Sequence, residues 1–191
     1  MNILVINASP NKDGLTSACA SAVIDGIRAA GSEAEEIRLN DLKIDHCHAC
    51  NNGWGTCLNE HRCQEEDDFQ GLHIHMTQAE GYVLVTPVYW GEMSESAKAF
   101  TDRLRRCEAT QEEGKSSLFN KPVIAVAAAG GSGNGMITCL LSMERWIHHV
   151  QGRVFDLVPV NRWSREYKLT AIRAAGHALV NESQQMEKGT S

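Results

Sequence analysis

The chain reads as an α/β protein: a doubly wound parallel sheet of five strands, order 2-1-3-4-5, with helices on both faces. Three observations predict it. Short apolar runs bounded by turn residues alternate with amphipathic helical stripes five times over. The strand-like runs are apolar along their length, as strands covered on both faces must be. Three of them end in loops crowded with hydroxyls, aromatics or glycines, where such sheets bind ligands. With 191 residues, 42% hydrophobic and 22% charged, the chain lies outside the disordered regime and suffices for one domain over 1–191.

The elements follow in order. Ile3 to Ile6 is the first strand, and Thr16 to Ala30 places Cys19, Val23, Gly26, Ile27 and Ala30 on one helical face. Glu35 to Leu39 is the second strand, completing a right-handed βαβ unit. Leu42 to Glu66 has neither period and is rich in Asn, Gly, Cys and His. It is a Cys-rich excursion whose length implies a function or a bound ion. Asp67 and Asp68 cap a helix to Gln78, and Tyr82 to Thr86 is a buried strand interrupted by Pro87. Ser94 opens a helix to Arg106 that turns Ala97, Phe100, Thr101 and Leu104 inward, and its closing arginines suit the negative dipole end. Glu108 to Asn120 reads as a surface loop. Val123 to Ala129 is a strand leading into Gly130-Gly131-Ser132-Gly133-Asn134-Gly135. Met136, Cys139, Leu140, Met143, Ile147 and Val150 form a helical stripe, followed by a strand over Val154 to Val160 and a helix from Glu166 to Gln185. The tail after Glu187 reads as frayed.

A net charge of −6 and the absence of a basic stripe beyond Arg103, Arg105 and Arg106 exclude nucleic acid as a partner. No apolar run approaches the roughly 20 residues of a membrane span. The start Asn2-Ile3-Leu4-Val5-Ile6-Asn7 lacks the features of an export signal, so a cytoplasmic protein is expected. Of seven cysteines, Cys19, Cys107 and Cys139 fall in helices as packing residues, whereas Cys47, Cys50, Cys57 and Cys63 share the excursion. His73, His75, His148, His149 and His177 form no catalytic pairing, and no Ser-His-Asp or paired-carboxylate arrangement stands out.

Chemistry therefore concentrates in three loops. Asn7-Ala8-Ser9-Pro10-Asn11-Lys12-Asp13-Gly14-Leu15-Thr16-Ser17 sets hydroxyls before a helix whose first N–H groups need partners, an anion site; simple N-capping by Thr16 or Ser17 is the alternative. It is neither a P-loop nor a dinucleotide fingerprint, and Arg38 stands where an NAD site would want a carboxylate. Thr86-Pro87-Val88-Tyr89-Trp90-Gly91 offers a platform for a flat ring, or a proline turn whose aromatics fill core. Gly130 to Gly135 allows close backbone approach, or forms only a flexible turn.

At these residues the sequence resembles the flavodoxin-like NAD(P)H-dependent FMN reductase superfamily, in the branch of iron-sulfur flavoproteins and multimeric quinone-reductase flavoproteins. The carriers are the first loop, the run from Thr86 to Ser94 with Lys98-Ala99-Phe100-Thr101-Asp102-Arg103, and the glycine loop. The resemblance implies FMN, its phosphate within Ser9, Asn11, Lys12, Leu15, Thr16 and Ser17. It implies an isoalloxazine held by Pro87, Val88, Tyr89, Trp90, Gly91, Met93 and Ala129, Gly130 and Gly131. Asn11 stands where a basic residue is common and Leu15 where a small polar one is common, which shifts phosphate binding toward backbone donors. Cys47-x2-Cys50-x6-Cys57-x5-Cys63 departs from the branch's cluster spacing, with Gly53 at the third place. A [4Fe-4S] cluster, zinc or another metal, or free thiols shaping the flavin pocket all remain open, with His46, His48 and His61 as substitute ligands.

The function so implied is an FMN-dependent oxidoreductase taking electrons from NAD(P)H or a carrier protein to a quinone or similar acceptor, with the flavin rather than a side chain carrying the chemistry. Two others stand beside it: an iron-sulfur electron carrier between ferredoxin and FMN, and a flavin-binding redox sensor without turnover. Members of the branch assemble as homodimers or homotetramers, for which Trp54 or Trp163 offers an interface.

Overall fold

The computed structural model describes residues 1–189, with side chains described through Glu182. Its strands and helices are β1 (Asn2–Asn7), α1 (Leu15–Ala29), β2 (Glu33–Arg38), α2 (Phe69–Gln78), β3 (Gly81–Tyr89), β4 (Glu92–Met93), α3 (Glu95–Glu108), β5 (Pro122–Ala129), α4 (Met136–His149), β6 (Arg153–Asn161) and α5 (Arg165–Gly189). Five strands pair in parallel in the order β2-β1-β3-β5-β6, the expected 2-1-3-4-5 once the two-residue β4 is set aside. No helix among the described residues is long and apolar enough to cross a membrane.

Parallel pairing requires both faces to be covered, and two apolar layers do this. Ile3, Val5, Val83, Val85, Ile124 and Val126 face Val23, Ile27, Ile172 and Leu179 of α1 and α5. Leu4, Ile6, Leu84 and Ala125 face Phe69, Phe100, Leu104, Met143 and Ile147 of α2, α3 and α4. Gly26 and Gly176 let α1 and α5 close on each other: a Cβ on Gly26 would lie 1.9 Å from the Arg173 carbonyl, and one on Gly176 2.6 Å from that of Val23. Cys19, Cys107 and Cys139 are buried packing thiols, each pushed up to about 12 by burial.

Four elements differ from the expectation. The strand does not stop at Pro87. It continues to Tyr89 and folds back through Trp90-Gly91 onto β4, Val88 pairing with Met93. Proline is tolerated because β1 pairs with β3 only as far as Val85, so no neighbour on that side needs an N–H from residue 87. Asp68 is not the side-chain cap of α2; Asp67 Oδ1 accepts from Phe69 N at 3.0 Å, and Asp68 accepts from Lys43 N. The stretch after α3 is no mere surface loop. Glu108 is 1% exposed, bonded to His73 and accepting from Ser116 Oγ at 2.7 Å and Ser117 N at 2.8 Å, with Leu118 fully buried beside it. The last helix runs on to Gly189, and the end of the expected frayed tail lies outside the described residues.

Burial alone would push the Glu108 carboxyl up, but the His73 and Ser116 bonds outweigh it and hold the group below its ordinary value. Its stabilising contribution is therefore complete above the ordinary glutamate pKa of 4.5 and disappears as pH falls through the lower folded value. Glu108→Ala should lower unfolding free energy at pH 7 by about 3 kcal/mol in urea titrations, and the gap to the parent protein should shrink as pH drops below 4.

Candidate functional site

Three loops meet at the carboxyl ends of β1, β3 and β5. The first follows β1. Ser9 N donates to Asn7 Oδ1 at 2.9 Å, and the Ala8 carbonyl accepts from Asn40 Nδ2 at 3.1 Å and from Ser94 Oγ at 3.3 Å, which ties the loop to the start of α3. Ser9 Oγ and Ser17 Oγ both donate to the Asn11 carbonyl, at 2.8 and 2.6 Å. These two hydroxyls are thus committed to the loop itself. The N-cap of α1 is Gly14, no side chain caps it, and no acidic residue stands in its first turn. Capping by Thr16 or Ser17 is not what these residues do, for both lie inside the helix. The orphan N–H groups of the first turn are left for an anion. Asn11 and Lys12 are exposed at the rim, and Thr16 and Ser17 are buried beneath it.

Arg38, which the sequence reading used only to disfavour an NAD site, turns out to belong to this loop. From the end of β2 its guanidinium donates to the Ser9 carbonyl at 3.1 Å and to Ser17 Oγ at 3.4 Å, and its Nε lies 3.5 Å from Asp41. It brings a positive charge to a loop whose Asn11 has none. The signal was present: a lone arginine at the carboxyl end of the strand beside β1.

The second loop is the β3–β4 hairpin. Trp90 takes the left-handed conformation, φ 54°, and its side chain is fully exposed, while Gly91 follows at φ 82°. A buried core role for the aromatics is excluded, since Tyr89 is exposed as well. The glycine loop packs against this hairpin: a Cβ on Gly135 would lie 2.7 Å from Gly91 Cα, and Thr138 Oγ1 donates to the Gly91 carbonyl at 2.9 Å. Gly130 and Gly131 are different. A Cβ at either would meet nothing within 4 Å, so the protein's own packing does not demand glycine there. Space kept open beside the sheet edge is what a bound ring or chain would use.

Between hairpin, α3 and excursion lies a cavity of about 770 Å³ lined by His46, Cys47, Val88, Tyr89, Trp90, Met93, Glu95, Lys98, Ala99 and Asp102. Its size and mixed lining suit a cofactor or substrate. Of the expected ring residues it takes Val88, Tyr89, Trp90 and Met93; Pro87, Gly91, Ala129, Gly130 and Gly131 are not among its walls.

The excursion is ordered by one buried cation. Arg103 of α3, 1% exposed, donates to the carbonyls of Asp45 at 3.1 Å and Glu65 at 3.2 Å, is ion-paired with Asp67, and stacks 4.4 Å over Phe69. Burial would raise the Asp67 carboxyl, yet the Arg103 bond and the N–H groups of Asp45 and Phe69 keep it below the usual carboxylate range. Arg106 adds a bond to the Gly53 carbonyl and lies 4.6 Å over Trp54. Around these two arginines Cys47, Cys50, Cys57 and Cys63 line one small cavity, and Cys47 lines the larger cavity too. That cavity measures about 20 Å³, room for a single water-sized body. A tetrahedral zinc site needs sulfurs about 3.8 Å apart. Among the described residues Asp45, His46 and His48 form the one group of three ligand atoms placed to share an ion, all within 4.8 Å of one another, and the four thiols form no such group. Cys50 is raised by desolvation and by Glu65, whose carboxylate accepts from its thiol at 3.6 Å. His61 turns away to Thr110. Trp163, exposed, packs on Gly133 and under Arg162.

The sheet order and its neighbours define a flavodoxin-like α/β protein with a cavity near the carboxyl edge of the sheet. Residues 1–160 match the family model of NADPH-dependent FMN reductases, and the chain belongs to that family. An iron-sulfur flavoprotein of Methanocaldococcus jannaschii is 32% identical over 71% of this chain and 65% of its own length. The chain spans 46% to 73% of the length of four iron-sulfur flavoproteins that it matches. Among solved structures, a flavone reductase superposes with a TM-score of 0.75 at 18% identity, over 98% of this chain and 64% of that one. An archaeal flavodoxin gives 0.65 at 14% identity, over 96% and 99%.

Because Arg103 ties both ends of the excursion to α3, Arg103→Met should cost about 3–5 kcal/mol of stability. It should also raise the alkylation rates of Cys57 and Cys63 at least tenfold under native conditions, read by mass spectrometry, while Cys19 stays protected.

Proposed function

We propose that the chain binds FMN at the carboxyl edge of the sheet and acts as an NAD(P)H-dependent oxidoreductase toward a quinone or similar planar acceptor. The observation that carries this reading is the convergence of three loops: an uncapped helix start, an aromatic hairpin beside a cavity of about 770 Å³, and two glycines that no packing requires. Family membership supports the same cofactor and donor. Bound FMN would supply the ring that accepts and passes on electrons, which no protein side chain does.

The residues have separable tasks in this reading. The first N–H groups of α1, with Ser9, Asn11, Lys12, Leu15, Thr16 and Ser17 around them, would hold the phosphate, and Arg38 beneath would supply charge. Pro87, Val88, Gly91 and Met93 would carry the ring's edge and face, with Ala129, Gly130 and Gly131 left clear for the remainder of the cofactor. Tyr89 and Trp90, exposed at the mouth, would cover the ring from water once a ligand gives them a surface to pack on. Glu95, His46 and the Lys98–Asp102 pair would set the polarity met by the acceptor.

A second reading has its own observation. Four thiols and two arginines surround one small cavity, and Cys47 joins it to the larger one. Cationic neighbours favour bound thiolates; a zinc site would more usually show a second closely spaced cysteine pair, whereas five residues separate Cys57 from Cys63, which favours a polynuclear cluster. The excursion would have to expand to admit it. A chain so equipped would relay electrons between a carrier protein such as a ferredoxin and FMN, as an iron-sulfur flavoprotein.

Both readings are tested on anaerobically prepared protein. The protein should take up one FMN per chain, with Arg38→Met weakening FMN at least tenfold and riboflavin less than twofold; a protein that binds neither flavin removes the first reading. Iron and acid-labile sulfide should be present in parent protein and absent in Cys57→Ser if the second holds, and metal-free parent protein removes it.

A further inference from the structure

Two imidazoles converge on one carboxylate near the start of the excursion. Asp45 Oδ1 lies 2.8 Å from His46 Nδ1, and its other oxygen, Oδ2, lies 3.6 Å from His48 Nε2. The two rings meet edge to face with centroids 4.8 Å apart, and one ligand atom from each of the three residues falls within 4.8 Å of the other two. Nitrogen and oxygen donors that bind a tetrahedral ion at about 2.0–2.1 Å stand roughly 3.3 Å from one another. The three side chains are exposed, so small rotations suffice to close them on an ion.

The backbone beneath them is held in place. The Asp45 carbonyl accepts from Arg103 at 3.1 Å, and Asp45 N donates to Asp67 Oδ2 at 2.9 Å. His48 is held from behind as well, its Nδ1 standing 3.2 Å from Glu65 Oε2. A proton on Nδ1 bonds to that carboxylate and leaves the Nε2 lone pair facing Asp45, the arrangement by which a second carboxylate fixes the tautomer of a metal-binding imidazole. A surface ion pair explains His46 beside Asp45. It does not explain His48, whose Nε2 faces Asp45 across 3.6 Å, too long for a hydrogen bond and a span that an ion bridges. The charge balance favours a cation, because the one guanidinium in contact with this segment, Arg103, is already paired with Asp67.

We propose that Asp45, His46 and His48 bind one divalent transition-metal ion of the zinc class, with Glu65 as the positioning residue behind His48. Two imidazoles and one carboxylate suit Zn²⁺, Co²⁺, Ni²⁺ or Fe²⁺, whereas Mg²⁺ and Ca²⁺ prefer shells of oxygen alone. Three protein ligands leave at least one coordination position open. His46 belongs to the wall of the larger cavity and His48 to that of the thiol cavity, so the ion sits on the rim between them. Its open position is free for water or for an oxygen donor on a molecule in the larger cavity. The site uses no sulfur, and it stands whether or not the thiols hold a cluster and whether or not the chain holds flavin.

Co²⁺ is the probe, because its absorption separates nitrogen and oxygen ligands from sulfur. Anaerobic titration of the full chain, followed by absorption and calorimetry, should show a Co²⁺ ion with weak d–d bands and no sulfur-to-cobalt charge transfer, displaced by Zn²⁺. His46→Gln, His48→Gln and Asp45→Asn should each weaken it at least tenfold, and Glu65→Gln about tenfold with the same d–d bands, since Glu65 touches the ligand and not the ion. All four side chains lie at the surface or its edge, and the circular dichroism spectrum should not change. The triple variant Cys50→Ser, Cys57→Ser, Cys63→Ser should keep Co²⁺ affinity within twofold. If that variant does not fold, the charge-transfer region of the parent spectrum makes the same distinction. Binding that survives both histidine substitutions, Co²⁺ seen only with sulfur charge transfer, or no saturable binding below about 1 mM overturns the proposal. So does uptake that a folded triple variant loses, which would assign the ion to the thiols.

Discussion

The buried Arg103–Asp67 pair is the interaction on which the chemically distinctive part of this molecule depends. The segment between β2 and α2 contains only two three-residue 3₁₀ turns, at Leu39–Asp41 and Asn51–Gly53, so no repeating ladder holds it. Its irregular backbone needs partners for its carbonyls, and Arg103 supplies two of them, Asp45 and Glu65, while Asp67 takes up the charge. A guanidinium left unpaired in that position would cost about 3–5 kcal/mol. With the pair in place, Phe69 packs under the cation and α2 begins in register with Asp67 as its cap.

From that anchor the thiols inherit their positions. Cys47 and Cys50 follow the Asp45 carbonyl, and Cys63 precedes that of Glu65, so both ends of the cysteine run hang from one side chain. The small cavity therefore forms against α3, the helix whose opening turn also borders the larger cavity. Two candidate redox centres are brought together because the same helix serves both, its N-terminal half through Lys98 and Asp102 and its C-terminal half through Arg103 and Arg106. The larger cavity and the thiol cavity thus border a single element of fourteen residues.

Much of this was legible beforehand. The five parallel strands and their order follow from apolar runs spaced by helical stripes. Ser94 is the cap of α3, accepting from Ala97 N. The three loops at the carboxyl edge were marked by composition, and their meeting is a consequence of strand order. Pro87 misled because a proline breaks a strand only where its N–H is needed, and that depends on how far β1 extends alongside. Glu108 misled because a charged residue at the end of an arginine-rich helix looks solvated until His73 of a different helix appears beside it.

The amino-acid sequence by itself determined the fold class, the position of the loops along the chain and the grouping of four cysteines, because apolar periodicity, turn residues and spacing are local properties. Only the tertiary structure decided what Arg38 and Arg103 each do. The two look alike in the chain. One enters a loop from the neighbouring strand, and the other is buried against a carboxylate 36 residues away in sequence. A charge acquires its role from what lies within a few ångströms, and that distance is set by packing between segments far apart in sequence.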